Sequence, residues 1–229
     1  MTDTPFTLIE AFRLWGQPIS WTVLTTWGIM LFLGLGSALI SRRLNVRPGR
    51  LQVFLELFVV TIEDQITATL PGPPDRFRAL IGTLFLFILT ANWCSLIPGI
   101  DPPTAHLETD AALAGIVFVA TIGFGIRSQG LGGYLRAFAR PNWAMIPLNL
   151  IEQATRILSL MVRLFGNVMS GVFVVGIVLS LAGLLVPIPL MALDLLTGAV
   201  QAYIFAILAL VFIASAVEGG GHSERTPTQ

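Results

Sequence analysis

Twenty consecutive residues, WTVLTTWGIMLFLGLGSALI from Trp21 to Ile40, carry no charge, and comparable apolar runs follow at 79–98, 111–126, 143–185 and 191–217. About 20 apolar residues are what a helix needs to cross the hydrocarbon core of a bilayer. Inside that core every backbone N–H and C=O must find its partner within the protein, as a helix provides along its own length. The sequence therefore predicts an all-α integral membrane protein of five spanning helices, forming a single membrane domain over residues 1–229. Composition agrees: 55% of the residues are hydrophobic and 11% charged, with a mean hydropathy of +0.82, outside the range of soluble domains.

The charges that remain describe a topology. All thirteen basic residues are arginine and thirteen acids balance them, so a net charge of zero speaks against a nucleic-acid partner. Arg42, Arg43, Arg47 and Arg50 follow the first span, and Arg127, Arg136 and Arg140 follow the third, while the loop GIDPPTAHLETD between spans two and three holds acids and no arginine. By the positive-inside rule the N-terminus is periplasmic and the C-terminus cytoplasmic. Residues 51–70 read differently, because Gln52, Glu56, Glu63 and Thr67 share one helical face. Spanning would bury three acids, so an amphipathic helix on the cytoplasmic surface is expected. Cys94, the one cysteine, lies in an apolar run and reads as a packing residue. The N-terminal MTDTPFTLIEAFRLW has no basic stretch before a short apolar core and is not expected to be a cleaved signal peptide.

The fourth run poses a chemical problem. Its roughly 40 residues make a helix near 60 Å, about twice the hydrocarbon thickness, which must tilt steeply or break at Gly166. Down one face run Asn149, Glu152, Arg156, Ser159, Arg163, Asn167 and Ser170, spaced three or four apart. Glu152 and Arg156 form an i,i+4 pair in the favourable order. Arg163 has no such partner on its helix. An arginine cannot lose its proton, so it carries a permanent charge into the membrane at roughly 2.5–3.5 kcal/mol. The last span offers Asp194, Thr197 and Gln201 on one face. A structural ion pair with Asp194 is one explanation for Arg163, but counting from Leu190 puts Gln201 about 16 Å deep and Asp194 only about 6 Å deep. Gln201 is the expected neighbour, and a carboxylate on another chain the expected partner.

RLFGN, 163–167, resembles the signature of subunit a of F-type ATP synthases, the stator channel beside a rotating ring of c subunits. The segments NWCSLIPG, PPTAHLETDAALA, QGLGGYLR, WAMIPLNLIE and VQAYIFAILALVFI are similar to that family in the same order. The resemblance implies that Arg163 is the essential ion-translocation arginine facing the c-ring carboxylate, with Gln201 and Asn167 beside it and Asn92 near the outer half-channel. It implies an inner half-channel lined by Asn149, Glu152, Arg156 and Ser159, and an outer one lined by Asn92, Asn167, Ser170, Asp194 and Thr197, with Glu108 also among the lining residues. Val172 stands where many members have a glutamate, and Asp194 where they have His or Glu, which moves the titratable role to Asp194. His106 and Glu108 replace the usual Asp and Asn of the outer loop, and His106 reads as a surface residue. These departures resemble the N-type branch, some members of which move sodium, so the ion is H⁺ or Na⁺.

The implied partners are the c ring, the b subunits of the peripheral stalk, the catalytic headpiece indirectly, and the lipid of a bacterial inner membrane. No bond chemistry, cofactor or metal is expected in this chain. Two rivals compete. A secondary transporter binding an anion on Arg163 would show inverted repeats and broken helices, and neither is visible in the sequence; for a membrane scaffold, the polar stripe is an unnecessary cost.

Overall fold

A computed structural model describes residues 10–14, 17–42, 49–70, 73–97, 102–138, 145–183 and 186–218. Arg43, Arg47, Asp101 and Arg140, which enter the topology reading, lie outside them. Two short antiparallel strands, β1 (Glu10–Leu14) and β2 (Gln17–Ser20), precede α1 (Trp21–Ser41). Then come α2 (Arg50–Thr69), α3 (Asp75–Trp93), α4 (Leu107–Phe138), α5 (Met145–Ala182) and α6 (Pro187–Glu218). Single 3-10 turns, η1 (Cys94–Leu96) and η2 (Pro103–Ala105), line the α3–α4 connection. Five of these helices are long and apolar enough to cross a membrane, and α2 is the additional one. The small hairpin is the one element that the all-helical reading omits.

Hydroxyl groups sit in these helices at little cost because each folds back on its own backbone. Thr25 and Thr26 donate to Trp21 O and Thr22 O at 2.9 and 2.8 Å, and Thr90 and Thr121 do the same to Leu86 O and Val117 O. Lipid offers no hydrophobic drive between helices, so close contact must come from shape. On α6 the buried face reads Ala202, Phe205, Ala206, Ala209, Leu210, Ile213 and Ala214, small residues set around one large ring. Against it stand Phe77, Ile81, Leu84 and Ile88 of α3, Leu113, Ala114 and Val117 of α4, and Leu160, Leu164 and Val168 of α5. Each set recurs every three or four residues, as a helix stripe must.

α2 meets this core with Ile66 and Leu70 and leaves Val53, Phe54, Leu57 and Val60 exposed. It is fastened to α3 by the Arg78–Glu63 ion pair and by the Phe58 and Phe85 rings, 5.4 Å apart.

Three stretches differ from the sequence-based expectation. α4 does not stop at Ile126 but runs to Phe138 across a kink at Gly130, whose φ of 74° is open to glycine at little cost. The kink is used: the Gln129 amide donates to Ala216 O and Val217 O at 2.8 and 3.2 Å, closing carbonyls that the end of α6 leaves free. α5 is one uninterrupted helix of 38 residues with no break at Gly166, about 57 Å long. It ends where Gly183 takes a φ of 74°. α6 begins earlier than Met191, with Pro187 as its first residue, where a missing N–H costs nothing.

Candidate functional site

On α5 the buried residues Leu160, Leu164 and Val168 mark the side packed against α6 and α4. At 100° per residue the polar line lies roughly 100° round from them, flanking the packed side rather than opposing it. Its members divide accordingly. Glu152, Ser159, Arg163 and Ser170 are exposed, whereas Asn149, Arg156 and Asn167 are half-buried. The lower part is tied in place: Arg156 pairs with Glu152, donates to Ser215 Oγ of α6 at 3.2 Å and lies 5.4 Å from the centroid of the Phe212 ring. Here a cation is held by a carboxylate, a hydroxyl and an aromatic face together.

Arg163 is held by none of these. It is exposed on the outer surface of the helix assembly and takes no part in any ion pair or side-chain hydrogen bond among the described residues. Along its own face its neighbours are Ser159, Leu160, Gly166 and Asn167, while Leu158 and Val162 are exposed further round the same helix. The Arg163–Asp194 pair weighed above is therefore not formed. Gln201 is 7% exposed, buried among the α6 contacts, so it does not share the open surface with Arg163. Its Nε2 has no hydrogen-bond partner, and neither has Asn167 Nδ2.

Asp194 occupies a junction of three elements. Its carboxylate rests on the α-carbon of Gly171 in α5, where a side chain would begin 2.0 Å from Oδ1. Ser95 of η1 stands beside it, and Thr197 donates to its main-chain carbonyl at 3.0 Å. Ser170 turns its hydroxyl to Asn167 O at 2.8 Å. Asn92, expected near the outer half-channel, is 5% exposed and hydrogen-bonded on both sides. Its Nδ2 donates to Gly198 O of α6 at 2.9 Å and its Oδ1 accepts from Thr104 Oγ1 of η2 at 2.7 Å. The group joins α3, α6 and the outer connection as a clasp. Glu108 is exposed in the first turn of α4.

The structure thus brings Asp194, Ser95, Thr197 and Gly171 together and holds Asn92 with Thr104 and Gly198, while Arg163 stands apart on the open face. Among the described residues no three His, Cys, Asp or Glu side chains group to hold a metal ion. Sequence reasoning passed over Asp110, which is 0% exposed. The signal was available: positions 110, 113, 114 and 117 form one helical stripe, and the last three are apolar.

A bundle of apolar helices with an unpaired arginine on one long helix and a half-buried acid at the contact of α5 and α6 defines a polytopic all-α membrane protein with polar groups in its spans. Residues 21–214 match the family described as "ATP synthase A chain", and this chain belongs to that family. It is 48% identical to "ATP synthase subunit a 2" of Bradyrhizobium sp. over 95% of this chain and 97% of that one. It is 50% identical to "ATP synthase subunit a" of Albidiferax ferrireducens, covering 86% and 87% of the two chains. With "ATP synthase subunit a 1" of Prosthecochloris aestuarii it shares 47% identity over 86% and 89%.

Proposed function

We propose that the chain is the stator ion-channel subunit of an F-type ATP synthase, coupling H⁺ or Na⁺ movement to rotation of a c ring. One observation carries this reading: Arg163 presents an unpaired, permanent positive charge on the exposed face of α5, a helix apolar enough to cross a membrane. A cation so placed is satisfied by a carboxylate arriving from another chain. As that carboxylate approaches, the charge stabilises its ionised form, lowers its pKa and makes it release its ion. Between arrivals the same charge repels cations, so two half-channels that each end at mid-membrane do not short-circuit.

The inner half-channel is assigned to Asn149, Glu152, Arg156 and Ser159, and the outer to Asn167, Ser170, Asp194, Thr197 and Glu108, with Gln201 between them and Asn92 bracing the outer end. The N-terminus is placed in the periplasm and the C-terminus in the cytoplasm of a bacterial inner membrane, with b subunits and, through them, the catalytic headpiece as further partners. Ion pumping by membrane vesicles carrying the assembled complex tests the reading. Arg163→Ala is expected to assemble and to pump nothing, and pumping near the wild-type rate would refute it.

A further inference from the structure

Within α4, Asp110 is fully buried, and neither carboxylate oxygen has a hydrogen-bond partner. Its main-chain N–H caps back to His106 O at 3.4 Å, which fixes it in the first turn of the helix. The buried stripe Leu113, Ala114 and Val117 continues directly below it. α4 packs against α5, α6 and η2, and η2 covers this end with Pro103 and Thr104, both buried.

Deeper along the neighbouring helices, Asn167 on α5 and Gln201 on α6 each bury an amide donor with no acceptor, so unmet polar groups of the kind that ordered water satisfies stand at two levels of the same bundle. A buried carboxylate with no cation and no donor cannot stay ionised in such surroundings; it holds a proton or is reached by water. The other charged and titratable groups on the surrounding elements are His106 just before α4, Glu108, Arg127, Tyr134 and Arg136 on α4, Glu152, Arg156 and Arg163 on α5, and Asp194, Tyr203 and Glu218 on α6; η2 supplies none. None of them hydrogen-bonds to Asp110 or pairs with it among the described residues.

We propose that Asp110 is a proton-exchanging station of the outer half-channel, taking a proton from the aqueous phase beneath η2 and passing it along water between α4, α5 and α6 toward Asn167 and Gln201. The step is a simple transfer: a hydronium outside protonates the carboxylate and leaves water, and the carboxyl returns the proton to water on the inner side. This role rests on the stator reading given above.

The test uses vesicles with the whole complex, measuring pumping against pH on the outer side, with Arg163→Ala as the control. Asp110→Asn keeps the shape and removes the exchange; it is expected to assemble, to pump at least roughly tenfold more slowly and to lose the wild-type pH profile. Asp110→Glu is expected to recover much of the rate with a displaced profile. If Arg163→Ala is dead while Asp110→Asn keeps the wild-type rate and profile, the station is overturned and the stator reading stands. If Arg163→Ala pumps normally, the stator reading itself has failed. A changed Na⁺ dependence in Asp110→Asn with an unmoved pH profile would also overturn the proposal, since the group would then be a cation ligand. Should Asp110→Asn not assemble, Asp110→Cys in a Cys94→Ser background gives an independent reading: labelling by a small impermeant thiol reagent from outside supports a water-reached site, and no labelling overturns it.

Discussion

The carboxylate of Asp194 lies so close to the α-carbon of Gly171 that a methyl group there would meet Oδ1 at 2.0 Å and Oδ2 at 3.1 Å. Glycine at 171 is therefore a condition for an acid at 194. The residue after it, Val172, is exposed, so α5 and α6 share one acid at this level, supplied from the α6 side.

Gly171→Ala should force the two helices apart or turn the acid away, at about 1–3 kcal/mol, the usual cost of overpacking. Asp194→Ala added to it should recover most of that stability, a coupling of about 0.5–3 kcal/mol in a double-mutant cycle on the solubilised complex. Additive losses would mean that the contact is not what limits position 171. For the channel role, Asp194→Asn retains the fit and should slow pumping, whereas Asp194→Glu keeps the charge but adds a methylene where there is no room. Wild-type rates in Asp194→Asn would reduce the residue to a packing feature.

The clasp at Asn92 leads to a different expectation. Asn92→Ala orphans a buried threonine hydroxyl, at about 1–3 kcal/mol, and removes a second donor from the Gly198 carbonyl, which keeps its intrahelical bond. Asn92→Asp is expected to be as damaging or more so, because it turns an acceptor toward Gly198 O in place of the donor. Were Asn92 a water-exposed lining group, the aspartate would be tolerated, and melting of the solubilised subunit complex distinguishes the two cases.

Exchange of Arg163 and Gln201 tests how strictly the cation must occupy the open face. Arg163→Gln alone should pump nothing. The double variant Arg163→Gln with Gln201→Arg places the cation at a buried position, from which its long side chain can extend toward the surface. Measurable pumping well below wild type is expected, in complexes whose assembly is verified alongside. An assembled double variant as inactive as the single one would show that position 201 cannot deliver the charge.

Much of this architecture is written in local patterns. The apolar runs and the line from Asn149 to Ser170 repeat with the helix period, so the helices and the isolation of Arg163 could be read directly. What escaped depends on contacts between distant segments. Asp110 sits in a stretch of loop-like composition, PPTAHLETD, and reads as an outer-loop acid until α4 is seen to start at Leu107 and bury it. Gly171 resembles any small residue of a packed helix until Asp194 is brought against it from α6. Asn92 is polar and deep, which suits a channel wall and a clasp equally, and its bonds to Thr104 and Gly198 come from separate segments that leave no trace in its local sequence. At Gly130 the string QGLGG suggests a loop, but the chain keeps its helix because one glycine absorbs the whole bend and Gln129 is needed at the end of α6.

The outward placement of Arg163 also bears on how a cell makes the protein. A copy newly released into the bilayer, before any partner covers α5, sets its guanidinium against acyl chains at about 2.5–3.5 kcal/mol, and proton loss offers no relief. On the stator reading, the unassembled chain is thus its own least comfortable state, distorting lipid around one residue until the proposed carboxylate-bearing partner covers it. Membrane proteases that recognise such defects would clear surplus copies and spare assembled ones, tying the abundance of this chain to that of its neighbour without a dedicated regulator.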